Sequence, residues 1–367
     1  MVVDGRCGVV RVYPVLDFGG IESLAVIQAA GWPREDTLRY CCFADAGSAA
    51  ETIRGLGFTV DELGTAPSVR NPRALWRLWR YLRHHQPAIV HAVSGAMTVH
   101  GLLAARLAGV PVRIVEEVGI PTRGRAGTII FPWLYRLATC VIGVSDAVVD
   151  YLIEQDGVPR SKARRIYNAI EQRYVEASTR TDHATFTILV AGRLAPVKGH
   201  ADLINALAPT LRDGDVSLQI AGDGAERQPL KDLTQELDVG DSIEFLGYRS
   251  DLPDLLAACD VFVLPSRMEG FGLAVVEAMA AGVPVVATRV GGVPEVVPDW
   301  ASDYLVPAED PVAMRTAVER VRVLSEQERR ELGGRLRDHA VQHFGPERYV
   351  RELQDLYAEL LDRVDAR

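Results

Sequence analysis

Strand and helix patterns alternate along nearly the whole chain, and this alternation restricts the fold more than any other sequence feature. Apolar runs such as FTILVAGRL (186–194) and VFVLP (261–265) are typical of buried strands. Each is followed by a glycine-containing loop and then by a run of good helix formers. This order predicts an α/β architecture with mainly parallel sheets.

The length of 367 residues favours two domains, at roughly 100–200 residues per domain. We predict an N-terminal domain over 1–172, a polar linker over 173–185 and a C-terminal domain over 186–345. A final helix over 346–367 is expected to cross back to the N-terminal domain. The two halves are successive parallel-sheet units, so a cleft is expected between the carboxyl edges of their strands.

The net charge of −9 is divided unevenly between the halves. Residues 1–172 carry 19 Lys and Arg against 16 Asp and Glu, whereas the remainder carries 21 against 33. General nucleic-acid binding is therefore not expected, although a local basic surface in the first half remains open.

The cysteines and the hydropathy indicate a cytoplasmic protein. The five cysteines are odd in number and lack metal-ligand spacing, which favours reduced thiols. No signal peptide precedes the first apolar run, and no run of about 20 apolar residues could span a membrane.

The stretch at 265–281, PSRMEGFGLAVVEAMAA, is the strongest candidate site. Gly270 and Gly272 flank Phe271 in a loop that opens a helix, where backbone N–H groups and the helix dipole favour phosphate. Glu277, about two turns into the helix, is suited to accept hydrogen bonds from the vicinal hydroxyls of a ribose. Glu269 in the loop would face a reacting sugar.

Positive partners for a phosphate-bearing ligand follow the first strand of the second half. Arg193 lies at the end of this strand, and Lys198 lies in the loop APVKG that follows it. Placed on the same edge of the sheet as the 265–281 loop, the two side chains would clamp a diphosphate. The D-x-D pair Asp213 and Asp215 lies in a turn between a helix and a strand, and we interpret it as unrelated to metal binding. We predict no metal requirement.

Two basic elements in the first half suggest a membrane surface. RNPRALWRLWRYLRHH (70–85) holds five arginines and no acid, with leucines on one helical face. Arg123 and Arg125 precede the apolar run TIIFPWLY. Such helices dock on anionic membranes. Ordinary surface helices with solvated arginines are the alternative.

Further candidates lie at loop positions of the first half. Glu116 and Glu117 end a predicted strand, where ligands bind in open α/β sheets, but solvated loop charges are an equal alternative. Gly19 and Gly20 precede a helix, which indicates either phosphate contact or a plain turn.

The motifs VAGRLAPVKG, IAGDG, IEFLGY, LPSRMEGFGLAVVEAMAAGVPVVAT and GGVPEVV resemble the retaining GT-B glycosyltransferases of family four, glycosyl transferases group 1. The E-x7-E pair around G-F-G carries the resemblance most specifically, and GGIE, IVHAVS, IGVS and IYNAIE match more weakly. The resemblance implies a GT-B fold, in which two Rossmann-like domains face each other across a cleft. It also implies sugar transfer from a nucleotide diphosphate.

The resemblance further implies residue roles. Arg193 and Lys198 would neutralise the diphosphate leaving group, and Glu269 would contact the donor sugar. The remaining donor contacts would come from Gly19, Gly20, Gly192, Tyr248, Arg249, Gly270, Phe271, Gly272, Leu273 and Glu277. UDP is the expected nucleotide, with GDP as the alternative, and no cofactor is implied.

The chain departs from the family pattern at three positions. Glu117 stands where the family often has a catalytic histidine, Val93 where a second histidine is frequent, and Ala169 where a glycine is usual. We keep Glu117 as a catalytic candidate, because a carboxylate there would bind a sugar hydroxyl or accept a proton from the acceptor.

We therefore expect a cytoplasmic, metal-independent, retaining glycosyltransferase that acts in polysaccharide biosynthesis. Its acceptor hydroxyl would belong to a lipid-linked or cell-surface glycan intermediate, with peripheral contact to an anionic membrane. The alternatives are a non-catalytic nucleotide-sugar-binding paralogue and an enzyme that glycosylates a soluble small molecule.

Overall fold

The computed structural model describes residues 8–17, 19–33, 37–44, 46–93, 95–121, 123–177 and 185–366. Cys7, Ser94 and the part of the predicted linker at 178–184 lie outside the described residues. The chain divides into two compact units, which we call unit 1 (1–169 with 346–367) and unit 2 (170–345).

Unit 1 is built on a seven-stranded sheet with the order β3-β2-β1-β4-β5-β6-β7, in which all neighbours are parallel. Its elements up to residue 169 are β1 (Val9–Tyr13), α1 (Gly20–Gly31), β2 (Leu38–Cys42), α2 (Ser48–Gly55), β3 (Thr59–Glu62), α3 (Pro72–His85), β4 (Ile89–Val93), α4 (Gly95–Ala108), β5 (Val112–Glu117), α5 (Arg125–Tyr135), β6 (Cys140–Gly143), α6 (Asp146–Glu154) and β7 (Ala163–Arg165). The predicted alternation of strands and helices is confirmed.

Unit 2 repeats this plan on a six-stranded parallel sheet with the order β10-β9-β8-β11-β12-β13. Its helices and strands are α7 (Gln172–Val175), β8 (Phe186–Ala191), α8 (His200–Arg212), β9 (Val216–Ala221), α9 (Arg227–Glu236), β10 (Ile243–Gly247), α10 (Leu252–Ala257), β11 (Val261–Leu264), α11 (Leu273–Ala280), β12 (Val285–Thr288), α12 (Val293–Val296), β13 (Leu305–Val306), α13 (Pro311–Arg322) and α14 (Glu326–Phe344). The predicted linker thus begins with the short helix α7.

The last helix, α15 (Pro346–Asp365), belongs to unit 1. It buries the apolar positions that its helical spacing predicts, Tyr349, Leu353, Leu356 and Leu360, in the unit 1 core. The C-terminal segment is therefore part of the packing that holds the first sheet together.

The helix α14 was not predicted from the sequence. Ser325 and Glu328 form a reciprocal capping box at its start, in which each side chain bonds the backbone N–H of the other. The S-x-x-E spacing was therefore available as a signal. The first strand, β1, ends at Tyr13, because Pro14 has no N–H group to continue the ladder.

Candidate active site

The predicted donor residues of unit 2 meet where the order of its strands reverses. β8 and β11 are neighbours at the centre of the sheet. β9 and β10 follow β8 towards one edge, and β12 and β13 follow β11 towards the other. Ligands in open α/β sheets bind outside the carboxyl ends of the strands at this position. The loop with Arg193 and Lys198 follows β8, and the loop with Glu269 follows β11.

These two loops are in direct contact. The backbone N–H of Arg267 donates to the carbonyl of Val197 over 2.8 Å. Gly199 has a φ of 68°, and a Cβ built on it would lie 2.0 Å from the carbonyl oxygen of Pro265. Only glycine permits both this conformation and this approach. The close contact brings Lys198 beside the second loop.

Lys198 and Glu269 form an ion pair. The Lys198 Nζ lies 2.5 Å from Glu269 Oε1, and both side chains are partly buried. The same carboxylate oxygen accepts a hydrogen bond from the Ser266 hydroxyl over 2.7 Å. The structure therefore joins two predicted site residues from loops that are 71 positions apart, and it adds Ser266, which the sequence analysis did not single out.

The N-terminus of α11 is built as the sequence predicts. Gly272 has a φ of 90° and caps the helix, and its carbonyl accepts from the N–H groups of Val275 and Val276. N–H groups in the first turn of a helix lack intrahelical acceptors and can bind an anion. Phe271 is buried and packs edge-on against Phe344 with ring centroids 5.6 Å apart, which anchors the loop.

Glu277 lies on α11 next to α7. Loss of solvation raises the pKa of its carboxyl to about 8, and the nearby Glu171 raises it further, against the effects of a hydrogen bond with Tyr174 and the charge of Arg173. The contact with Tyr174, a buried residue of α7, was not predicted. A half-buried carboxylate that is poorly solvated is stabilised when the hydroxyl groups of a ligand donate hydrogen bonds to it.

The other predicted residues of unit 2 lie on the same edge of the sheet. Backbone bonds join the exits of three adjacent strands, because Gly222 donates to Gly247 and Gly192 donates to Ala221. Arg193 is exposed and has no acidic partner among the described residues. The exposed Tyr248 follows Gly247, and Arg249 next to it is paired with Asp251.

In unit 1, Gly19 caps α1 and Gly20 is its first residue. Glu117 is the last residue of β5 and is buried. It accepts hydrogen bonds from Tyr135 over 2.8 Å and from Thr98 over 3.0 Å, and Arg123 lies 3.9 Å away. Burial raises the pKa of Glu117 above its usual range.

The predicted alternative of a solvated charge is wrong for Glu116, since its side chain is buried near the end of β5. It is buried between Arg11, at 2.7 Å, and His91, at 3.1 Å. Burial opposes ionisation, but Arg11 and His91 outweigh it and lower the pKa of Glu116. Glu116 and Glu117 are adjacent in a strand, so their side chains point to opposite faces of the sheet, and the helices on each face bury them.

In the described part of the chain, no group of three or more His, Cys, Asp or Glu side chains is arranged to hold a metal ion. Among the same residues, no helix has the length and hydropathy needed to cross a bilayer.

Comparison with known proteins assigns the chain to a family. Residues 173–335 match the model for glycosyl transferases group 1, and residues 18–173 match that for glycosyltransferase family 4. Together the two models span residues 18–335, with a division at residue 173. The chain belongs to the group 1 glycosyltransferases and has their GT-B fold, with two Rossmann-like domains.

Three proteins illustrate the relationship. N-acetyl-alpha-D-glucosaminyl L-malate synthase of Bacillus anthracis is 30% identical over 55% of both chains, so this chain spans about half of that relative. A UDP-Gal:alpha-D-GlcNAc-diphosphoundecaprenol alpha-1,3-galactosyltransferase of Escherichia coli is 26% identical over 80% of this chain and 81% of its own. HepE of Anabaena, solved in complex with UDP and glucose, superposes with a TM-score of 0.83 at 22% identity, over 96% of this chain and 99% of its own.

Proposed function

We propose that this glycosyltransferase moves a sugar from a UDP-sugar to an acceptor hydroxyl, retains the anomeric configuration and needs no metal ion. The observation that carries this proposal is the Lys198–Glu269 pair beside the N-terminus of α11, at the point where the strand order of unit 2 reverses. This arrangement combines a cation, a carboxylate and backbone N–H groups within two touching loops.

The charge of the diphosphate would be neutralised by this chain's own groups. Arg193 and Lys198 supply two positive charges, and the first turn of α11 supplies N–H donors at the positive end of the helix dipole. Backbone groups of Gly270 through Leu273 would hold the phosphates. A clamp of this kind provides the charge that a divalent cation supplies in other transferases, which is why we propose a metal-independent reaction.

The remaining donor contacts follow from the positions of the side chains. Glu277 would accept hydrogen bonds from the ribose hydroxyls, and Tyr174 would orient its carboxylate. The base would lie near the loop of Tyr248 and Arg249. Gly192 allows the β8 exit to approach the donor closely. Glu269, held by Lys198 and Ser266, would contact the sugar near its anomeric carbon.

Retention does not require a protein nucleophile. The acceptor oxygen would attack the anomeric carbon from the face that the leaving group departs from. As that bond forms and the bond to the diphosphate breaks, a phosphate oxygen would take the acceptor's proton. Catalysis then depends on the stabilisation of the leaving group and on positioning.

Unit 1 would contribute through the start of α1 and the end of β5. Gly19 and Gly20 would approach the donor phosphate at the start of α1. Glu117 is enclosed by Thr98 and Tyr135, so the geometry favours a role in holding the loop between β5 and α5 over direct proton transfer. A non-catalytic paralogue would have the same donor-binding residues in unit 2 but would not hydrolyse the donor. An assay of donor hydrolysis therefore distinguishes it from an active transferase.

Relatives support both a lipid-linked acceptor and a soluble one. The name of the Escherichia coli protein gives a diphosphoundecaprenol acceptor, and that of the Bacillus anthracis protein gives L-malate. We favour a lipid-linked glycan intermediate at the cytoplasmic face of a membrane, as in polysaccharide biosynthesis. UDP is favoured because the Escherichia coli relative uses UDP-Gal and HepE was solved with UDP.

The substitution Glu277→Gln is expected to weaken the binding of UDP-sugars by roughly 10- to 100-fold, because a charged hydrogen-bond acceptor contributes about 1.5–3 kcal/mol. Wild-type affinity should rise with pH as the carboxyl ionises around its pKa of about 8, and the variant should not follow this rise. Calorimetric titration with UDP-glucose, UDP-galactose and UDP-N-acetylglucosamine, from about pH 6 to about pH 9, measures both effects.

Unlike donor affinity, the free energy of unfolding of the protein should fall as the pH rises. A carboxyl whose folded pKa is raised favours folding at low pH, and this contribution is lost as the pH rises towards about 8. Glu277→Gln should therefore unfold at a higher temperature than wild type at alkaline pH. Asp213→Asn, in an exposed turn, is the matched control. Equal donor affinity in wild type and Glu277→Gln would contradict the ribose assignment.

A further inference from the structure

Unit 1 contains a long segment that is almost free of acidic residues. Between positions 63 and 145 there are ten arginines and only two acids, Glu116 and Glu117. Both acids are buried, and Glu116 is already paired with Arg11. The segment therefore offers no negative charge to solvent, although the chain as a whole is acidic. Acidic residues resume at Asp146 on α6.

The first basic element of this segment is α3. The helix buries Ala74, Leu78 and Leu82, as its amphipathic pattern predicts. Its solvent side exposes Trp76 together with the four arginines Arg73, Arg77, Arg80 and Arg83. Arg80 stacks on the Trp76 ring at 5.6 Å. No acidic side chain among the described residues pairs with any of these arginines. Arg77 donates to the backbone carbonyls of Leu63 and Gly64, so the charges most available to a partner are those of Arg73, Arg80 and Arg83.

The second element is α5, whose outer face is apolar. Ile129, Ile130 and Trp133 are 68%, 51% and 64% exposed, which is unusual for side chains of this size. Arg125 is exposed at the start of the helix, and Arg136 just after it stacks over the Trp133 ring at 4.0 Å. An aromatic ring with an adjacent cation suits the boundary between lipid and water.

The helix α4 connects the two elements. It packs against both α3 and α5, and all three helices belong to crossovers between parallel strands on one face of the sheet. Near its end α4 exposes Leu107 and Arg106. The three helices thus form one layer, which we call the α3–α5 layer. The arginines are concentrated on α3 and the large exposed apolar side chains on α5.

We propose that the α3–α5 layer is a docking surface for an anionic lipid bilayer, in which the apolar side chains of α5 insert among the lipids and the arginines of α3 contact the headgroups. This inference goes beyond the proposed sugar transfer and does not rest on it. Binding of this kind combines buried apolar area with attraction to anionic lipid.

The combination of charges and apolar groups selects the partner. A nucleic acid would use the arginines, but it would leave Ile129, Ile130 and Trp133 in water. A second copy of the chain would cover the apolar groups, but in a symmetric contact it would set the arginines of one copy against the apolar side chains of the other. In its described part, the layer has no exposed acidic side chain that could pair with those arginines. An anionic bilayer uses both properties at once.

Vesicle flotation with the full chain tests the proposal. The protein should float with vesicles of phosphatidylcholine mixed with phosphatidylglycerol and not with phosphatidylcholine alone. Binding should weaken as the salt concentration rises from about 0.05 M to about 0.5 M. Replacing Ile129, Ile130 and Trp133 by serine should lower the partition coefficient by roughly tenfold or more, and replacing Arg73, Arg80 and Arg83 by glutamine should do the same.

Trp300→Ser is the matched control, because Trp300 is also exposed and carries a stacked arginine, Arg335, at 3.9 Å, but lies in unit 2. Its vesicle binding should equal that of wild type. The far-UV circular dichroism spectrum of every variant verifies the fold, independently of vesicle binding and of sugar transfer. The proposal is overturned if wild type fails to float at low salt, if Trp300→Ser loses as much binding as the α5 variant, or if an RNA homopolymer competes the vesicles away. It is also overturned if the α5 substitutions only dissociate a dimer.

Discussion

Replacing Lys198 by alanine is expected to lower the turnover number by roughly 10²–10³-fold, the loss seen when one donor that stabilises a developing negative charge is removed. In the free protein Lys198 is paired with Glu269, and in our account it turns to the leaving diphosphate during transfer. The positive charge is then needed most in the transition state. Steady-state rates of UDP release, with the far-UV circular dichroism spectrum as a test of folding, measure this effect.

The control for this variant is Arg267→Ala. Arg267 is a cation on the same pair of loops, but it is exposed and bonds Asp202 through two hydrogen bonds of 2.8 Å. An exposed ion pair contributes little to stability, so this variant should keep turnover within a few-fold of wild type. Near wild-type turnover by Lys198→Ala, or an equal loss in Arg267→Ala, would show that Lys198 does not stabilise the leaving group.

The second large effect is expected on stability. Glu116→Ala should lower the free energy of unfolding of unit 1 by about 3–5 kcal/mol, because it leaves the buried guanidinium of Arg11 without its carboxylate. The chain has five tryptophans, and Trp32, Trp76, Trp79 and Trp133 lie in unit 1. Urea unfolding followed by tryptophan fluorescence therefore reports mainly on this unit.

A double variant separates the cost of an unpaired charge from the loss of packing. Arg11→Met combined with Glu116→Leu buries no charge, so it should recover much of the stability that Glu116→Ala loses. Glu359→Ala serves as the control, since it removes only half-exposed ion pairs, with Arg164 and Arg363, and it should cost less than about 1 kcal/mol. A loss of this small size for Glu116→Ala would contradict the importance of the buried pair.

The contact between the loops of Lys198 and Glu269 in unit 2 could be predicted, because both loops follow strands. Carboxyl ends of parallel strands share one edge of a sheet, so the sequence alone indicated that the loops with Lys198 and Glu269 are neighbours. The glycines at 199 and 272 were visible as loop and cap residues for the same reason. Both glycines have a positive φ, but the close approach of Gly199 to Pro265 was not predicted.

The partners of the carboxylates could not be predicted in the same way. Tyr174 reaches Glu277 from a four-residue helix about 100 positions earlier, and such a short helix has no distinctive pattern. The burial of Glu116 depends on Arg11 and His91, which come from two other strands. A charged residue at a strand end looks the same in sequence whether the fold buries it or exposes it.

The most direct test of the central claim is the release of UDP from UDP-sugars in the absence of an acceptor, followed by chromatography. Our account predicts slow release of UDP from at least one of UDP-glucose, UDP-galactose and UDP-N-acetylglucosamine by wild type, and a loss of this release in Lys198→Ala. Binding of these donors without any release of UDP would contradict the account, and it would indicate a protein that binds nucleotide sugars without transferring them.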